Sequence, residues 1–324
     1  MSKFIIKNIG NGLGDCFIIH MAGETDECVI IVDGHKENQG NLSFEHMKES
    51  IKEYKKIDYI VITHIDDDHI GGILKLLSLP SEDEIFQKLN KTVFIYNSIV
   101  RSTINYKQAV HLELLLNTRK IINTCKIDYS KCTQGYLILL SQTRRDSFDP
   151  ANYQLYKNRP ILTFIHPTDS KDIEQVQEDY IKRKATGNLT SSDSKLINRN
   201  SIAFLIEFMG KCVFFTGDAY VEDIFPKVSV KNIDIIKIPH HGADLNNRQL
   251  PQYAKNFNCQ RFIVTGEKKW SKIHPAQSLL TNLYQILGNK LTIYTKVDMA
   301  EYEHCSETIK NTEEIDVMED YKDA

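Results

Sequence analysis

Between Thr63 and Gly72 the chain reads Thr-His-Ile-Asp-Asp-Asp-His-Ile-Gly-Gly, so the six residues from His64 to His69 offer two imidazoles and three carboxylates. That density of ligand atoms exceeds what a surface turn needs, and the chemistry it suits is the binding of divalent cations. In a tightly turned loop His64 and Asp66 point to one side, while Asp68 and His69 diverge toward a neighbouring position. Two ions can share such a loop. The competing explanation is an acidic turn whose aspartate caps the following helix, with incidental histidines. Gly71-Gly72 allows close backbone approach behind the loop.

Three later positions add candidates. Asp218 closes the run Val213-Phe214-Phe215-Thr216-Gly217-Asp218, where it suits the bridging of two cations or serves as a plain turn residue. Ile235-Ile236-Lys237-Ile238-Pro239-His240-His241-Gly242 delivers two histidines at another strand end. One is a candidate ligand and the other an orienting group or donor to substrate; the alternative is a buried hydrogen-bonded pair or a surface turn. His274, before Pro275 at an expected helix start, is a candidate oxyanion donor, a ligand, or an ordinary helix-entry residue. His166 is read as structural.

The elements that must position these residues are short β-branched or aromatic runs. They are Phe4–Ile6, Phe17–Ile19, Val29–Val32, Tyr59–Ile62, Val93–Tyr96, Ile202–Phe208, Val213–Phe215, Ile233–Ile238 and Phe262–Val264. Phe44, Met47, Ile51 and Tyr54 recur at helical spacing, and a second helix is expected over about 275–286. The Thr63–Gly72 loop thus leads from a strand into a helix. Strand pairs without intervening helices dominate both ends, so the expected class is α/β (α+β), two mixed sheets packed together and covered by helices. The Gly10-x-Gly12-x-Gly14 turn lacks dinucleotide-binding spacing.

Size and charge narrow the possibilities. At 324 residues with 41% hydrophobic side chains, the chain can bury a large core as one domain over about 1–300. No apolar run approaches the roughly 20 residues that span a bilayer, and no secretory leader is evident, so no membrane association and a cytoplasmic location are expected. The seven cysteines are scattered and read as reduced thiols. A net charge of -3 excludes global attraction to a polyanion. Locally, however, residues 101–160 carry ten Lys/Arg against four Asp/Glu. Residues 97–160, without clear periodicity, are expected to be an insertion, and 301–324 an acidic solvated tail available to a protein partner.

The ordered set Val32-Asp33-Gly34, His64-x-Asp66-x-Asp68-His69-x-Gly71-Gly72, Thr216-Gly217-Asp218 and His240-His241-Gly242 resembles the metallo-β-lactamase-fold hydrolases. Asp66 where many members carry histidine, Asn200-Ser201 before a strand, the Pro-His-His-Gly turn and His274-Pro275 resemble the soluble hydrolase domain of the ComEC-type DNA-uptake competence branch. The resemblance implies a four-layer αββα sandwich and two divalent metal ions. It places His64 and Asp66 on the first ion, Asp68, His69 and one of His240 or His241 on the second, and Asp218 between them. Spacing from Gly242 favours His241. The family's remaining first-site histidine is absent from Asn198-Arg199-Asn200-Ser201, where Asn200 or water is the substitute. Asp33 corresponds to a supporting aspartate.

The expected chemistry is hydrolysis by a metal-activated water, with Asp68 as proton acceptor. Asp66 in place of an imidazole hardens the first position, so manganese is expected to serve better than zinc, with magnesium also admissible. The basic stretch sets Arg119, Lys120, Arg144 and Arg145 among tyrosines, a composition suited to phosphate backbone and stacked bases. Nucleic acid, DNA first, is therefore the expected substrate. A small phosphodiester, lactone or other ester is the alternative, and a non-catalytic regulatory module the third reading.

Overall fold

A computed structural model of the chain describes residues 2–10, 14–24, 27–36, 42–96, 107–121, 124–126, 136–139, 159–167, isolated positions between 175 and 186, 194–266, 268–269, 272–296 and 308–319. Its first half runs β1 (Lys3–Asn8), β2 (Phe17–Ala22), β3 (Glu27–Val32), α1 (Leu42–Lys52), β4 (Tyr59–Val61), α2 (Asp67–Ser78), α3 (Glu84–Gln87), β5 (Val93–Tyr96), α4 (Lys107–Thr118) and β6 (Thr124–Lys126). The second half begins with β7 (Tyr136–Leu139), β8 (Ile161–His166), α5 (Ser194–Arg199), β9 (Ala203–Phe208), β10 (Lys211–Phe215), α6 (Val221–Ile224) and β11 (Ile235–Lys237). It continues through α7 (Asp244–Asn247), α8 (Leu250–Asn256), β12 (Arg261–Ile263), a small hairpin of β13 (Lys268–Lys269) and β14 (Lys272–Ile273), α9 (Gln277–Leu287), β15 (Thr292–Thr295), β16 (Ile309–Asn311) and β17 (Glu314–Asp316).

Among the described residues these strands form two large mixed sheets, ordered β17-β1-β2-β3-β4-β5-β6 and β16-β15-β12-β11-β10-β9-β8-β7. Each is antiparallel toward one side and parallel toward the other: β3, β4, β5 and β6 run parallel in the first, and β10, β11, β12, β15 and β16 in the second.

Side-chain alternation divides the apolar residues into three buried clusters, one for each interface of a four-layer stack. Phe4, Phe17, Ile19, Phe204 and Phe215 fill the space between the sheets. Ile18, Val29, Ile31, Met47, Ile51, Ile73 and Leu77 join the first sheet to its helices. Leu205, Phe214, Ile236, Phe262, Leu279 and Leu283 do the same for the second. Phe204 stacks on Phe215 with ring centroids 5.4 Å apart, while Phe17 meets Phe215 edge-on at 5.5 Å. Each such ring contributes on the order of 1.5–3 kcal/mol of burial. The expected αββα sandwich is thus the observed one, with central parallel strands such as β4 apolar on both faces.

Two expectations change, and one strand is added. The segment after Thr308 is not a solvated tail: β16 adds to β15 and β17 to β1, with Ile315 and Val317 buried. Acidic residues alternate outward around those two anchors, so charge conceals a strand pattern of period two. The basic stretch is not merely inserted, since its described parts supply β6 to the first sheet, β7 to the second, and helix α4. β8, which carries His166, was hidden because Ile161–His166 adjoins that stretch. Arg144, Arg145 and residues 301–307 lie outside the described residues. No described helix is long and apolar enough to cross a membrane.

Candidate metal centre

The parallel strands end on a common edge, and the candidate ligands leave from those ends. After β3 the chain turns at Asp33 with a left-handed φ of 57°. After β4 it passes Thr63 and His64 into α2, whose first turn carries Asp68 and His69. β10 ends just before Asp218, and β11 just before a 3-10 turn over Pro239–Gly242, in which His240 and His241 both take left-handed backbone (φ 47° and 51°). Such backbone costs about 1–3 kcal/mol per non-glycine residue and persists only where surrounding packing dictates it. Here Gly242 permits close contact with Pro275, for a Cβ at that glycine would lie 2.5 Å from the Pro275 Cβ.

Asp218 is the hub. Its Oδ1 lies 3.4 Å from His69 Nε2, and its Oδ2 lies 3.8 Å from His64 Nε2, 3.7 Å from His240 Nε2 and 3.9 Å from His241 Nε2. His64 Nε2 also stands 3.9 Å from Asp66 Oδ2, and His241 Nε2 3.3 Å from Asp68 Oδ2. The sequence-derived set therefore converges, with His241 in the deeper position and turned to Asp68.

Each imidazole is oriented from behind. Asp33 accepts from Thr63 N (2.7 Å), from the Thr63 hydroxyl (2.6 Å) and from His69 Nδ1 (2.8 Å). Because the Thr63 hydroxyl donates to Asp33, its oxygen accepts from His64 Nδ1 at 3.1 Å. The Thr265 hydroxyl donates to Asp15 Oδ1 (2.7 Å) and so accepts from His241 Nδ1 (2.9 Å). Asn246 donates through Nδ2 to the Asp218 carbonyl (3.0 Å), which turns its Oδ1 to His240 Nδ1 (3.0 Å). With hydrogen on every Nδ1, the Nε2 lone pairs face inward, the tautomer a metal ligand needs.

Whether these residues fit a cation can be judged from what the site leaves unsatisfied. His64 Nε2, His69 Nε2, His241 Nε2 and Asp218 Oδ1 are buried without a hydrogen-bond partner, a costly state for polar atoms unless a ligand completes it. Triads of ligand atoms stand within 4.8 Å of one another at His64–His69–Asp218 and at Asp68–His69–His241. Electrostatics agree. Burial, then the like charge of Asp68, pushes the Asp66 carboxyl up to about 7. Burial and the nearby His69 lower His64 to about 3, leaving it a neutral donor. Burial opposes charge on His241, yet Asp218, Asp15 and Asp68 push it up to about 9; His69 is raised likewise by Asp218 and Asp33. Protons stand where the carboxylates demand positive charge, and divalent ions would replace them. The residues fit a metal.

A third triad, Asp15–Asp33–His69, has another explanation. The ammonium of Lys237, 1% exposed, pairs with Asp15, 2% exposed, donates to Gly217 O at 3.1 Å and lies 3.8 Å from Asp218 Oδ1. That triad already has its cation. Sequence reading missed Asp15 and Lys237, although a lone lysine inside the apolar Ile235–Ile238 run signals a buried partner.

The remaining candidates are placed differently. Asn200 turns its amide to Leu196 O at 2.8 Å. Its neighbours reach the site instead: Asn198 Nδ2 lies 3.4 Å from His240 Nε2, and the Ser201 hydroxyl accepts from Asp218 N at 3.1 Å. His274 stacks on His240 with ring centroids 5.9 Å apart. His166 donates to Arg199 O at 2.6 Å and lies 3.0 Å from Lys227 Nζ, a structural setting. Arg119 donates to Ser81 Oγ and Leu79 O, each at 2.8 Å, and covers Phe86, so it fastens α4 to the scaffold. Lys120 is exposed beyond that helix.

Comparison with known families finds that residues 9–85, which carry Asp33 and the His64–His69 loop, match the metallo-beta-lactamase superfamily. No curated protein sequence matches the chain significantly. Among solved structures the chain is similar to the metallo-beta-lactamase fold protein YhfI from Bacillus subtilis (12% identity, 90% of this chain and 96% of that one, TM-score 0.47). It is also similar to a diphosphatase of the PhnP family (11%, 81% and 86%, TM-score 0.41) and to ST1585 from Sulfolobus tokodaii (14%, 88% and 87%, TM-score 0.36). The layering described above and the family match over residues 9–85 support a metallo-β-lactamase fold.

Proposed function

We propose that this chain is a metal-dependent hydrolase of phosphodiester bonds, with a DNA strand as the substrate class. The observation that carries the hydrolase reading is the set of four buried, unsatisfied atoms around Asp218. His64, Asp66 and Asp218 Oδ2 would hold one divalent ion, and Asp68, His69, His241 and Asp218 Oδ1 a second. Two such ions supply the Lewis acidity that makes water nucleophilic near neutrality.

The chain's own groups do the rest. Burial opposes ionisation of Asp68, but the nearby His241, 3.3 Å away, and His69 hold its carboxyl well below the usual range. It remains anionic, as a metal ligand must, and its assignment as acceptor of the attacking water's proton rests on the family resemblance of the His64–His69 loop. Asp33 and Thr265 keep His69 and His241 from turning, and Asp66 makes the first position oxygen-rich, favouring manganese or magnesium over zinc.

The nucleic-acid preference rests on sequence: the ComEC-like motif details and the cationic, tyrosine-rich stretch. A small phosphodiester, lactone or other ester is the second reading, favoured by Arg119 being tied to Ser81 and Leu79 rather than presented outward. The test is hydrolysis of labelled single-stranded and duplex DNA, RNA, a generic phosphodiester and a lactone with Mn²⁺ or Zn²⁺. DNA cleavage is expected, faster with Mn²⁺, with binding that weakens steeply with salt and activity lowered at least ~10³-fold by Asp68→Ala. Activity that survives this substitution refutes the assignment. Turnover of the lactone alone transfers it to the second reading.

A further inference from the structure

Around Asp218 Oδ2 the proposed first site offers fewer imidazoles than the second, and the segment expected to supply one ends in Asn200, whose amide faces Leu196. We propose that His240 completes this position, as a direct ligand beside His64, Asp66 and Asp218; the inference rests on the two-metal reading above. Three independent features support it. His240 Nε2 stands 3.7 Å from Asp218 Oδ2, beside the 3.8 Å of His64 Nε2 and the 3.9 Å of His241 Nε2 from the same oxygen, and of the two adjacent histidines it is His241 that is drawn to Asp68, at 3.3 Å. Two atoms bound to one ion at roughly 2.1 Å and splayed by about 120° lie near this separation.

The second feature is the tautomer. Asn246 is fixed by donation to the Asp218 carbonyl, and it accepts from His240 Nδ1 at 3.0 Å. His240 therefore shares the arrangement of His64, His69 and His241, with Nδ1 held from outside and Nε2 turned to Asp218. Asn198, an amide donor 3.4 Å from that Nε2, meets its lone pair and would yield it to an ion. The third feature is the backbone. Left-handed conformations at both His240 and His241 aim consecutive rings at the same carboxylate, an expenditure of conformational energy that a simple turn does not require.

The arrangement divides the pair by depth. His241, 3% exposed and turned to Thr265 and Asp68, serves the second ion, whereas His240, with a side chain 30% exposed, serves the first.

The test measures metal uptake by the full chain, independent of catalysis. Demetallated wild type, His240→Ala and Asn246→Ala are titrated with Mn²⁺ by calorimetry, with stoichiometry checked by elemental analysis and folding by circular dichroism. Wild type is expected to take up two ions per chain. His240→Ala should retain the tighter ion and lose the weaker, while Asn246→Ala weakens only the second event by roughly 10–100-fold. His240→Asp should restore part of it. Two ions with unchanged affinities in His240→Ala, or loss of both in a folded variant, overturns the inference. A wild type that takes up one ion also overturns it but leaves a mononuclear hydrolase; one that takes up none overturns the two-metal reading itself. Should His240→Ala not fold, an unaltered second event in Asn246→Ala overturns the inference.

Discussion

At the scale of residues, the candidate centre is backed by a buried ion pair outside its proposed ligands. The Lys237 ammonium and Asp15 carboxylate form a buried pair behind His241 and Asp218. Lys237→Met should cost roughly 3–5 kcal/mol in urea unfolding, because it leaves a carboxylate buried without its cation. Asp15→Asn together with Lys237→Met should recover most of that loss. A single-substitution cost below about 1 kcal/mol contradicts the claim that the pair is electrostatically coupled. The candidate loop was legible because His64, Asp66, Asp68 and His69 crowd six residues. Asp15 was not, since it lies 250 positions from the Thr265 hydroxyl it accepts, and a solitary aspartate after a glycine has no local signature. Asn246 was equally hidden, being recognisable only by the two atoms it joins.

At the scale of elements, strand ends set the geometry and glycines set how closely they approach. Gly72 N donates to Gly34 O at 3.0 Å, and a Cβ at Gly72 would lie only 2.0 Å from that oxygen. Gly72→Ala must drive α2 off the turn after β3, carrying Asp68 and His69 away from Asp33. Metal uptake should fall at least ~10-fold and stability by roughly 2 kcal/mol or more, seen by calorimetry and thermal unfolding. Unchanged uptake contradicts the role assigned to this contact. Most strands were legible from apolar runs such as Val29–Val32 and Val213–Phe215. β16 and β17 were not, because single buried residues such as Ile315 lie among exposed acids and gain meaning only from their pairing with distant strands.

At the scale of the whole molecule, neither half contains the centre. The first sheet contributes Asp33, His64, Asp66, Asp68 and His69, the second Asp218, His240 and His241, and the two meet through a shared apolar layer. The carboxyl edges of parallel strands are where open α/β sheets leave a crevice for ligands, and here two such edges face one another across Asp218. Sequence order made both motif groups legible, whereas their convergence required the packing of Phe17 and Phe204 on Phe215. The most direct measurement of the central claim is a crystal of the full chain soaked in Mn²⁺ and examined by anomalous scattering. Two peaks roughly 3.5 to 4 Å apart, on either side of the Asp218 carboxylate, are predicted. A map without anomalous density at Asp218, from crystals shown to hold manganese in their solvent, would contradict the metal centre and the hydrolase reading with it.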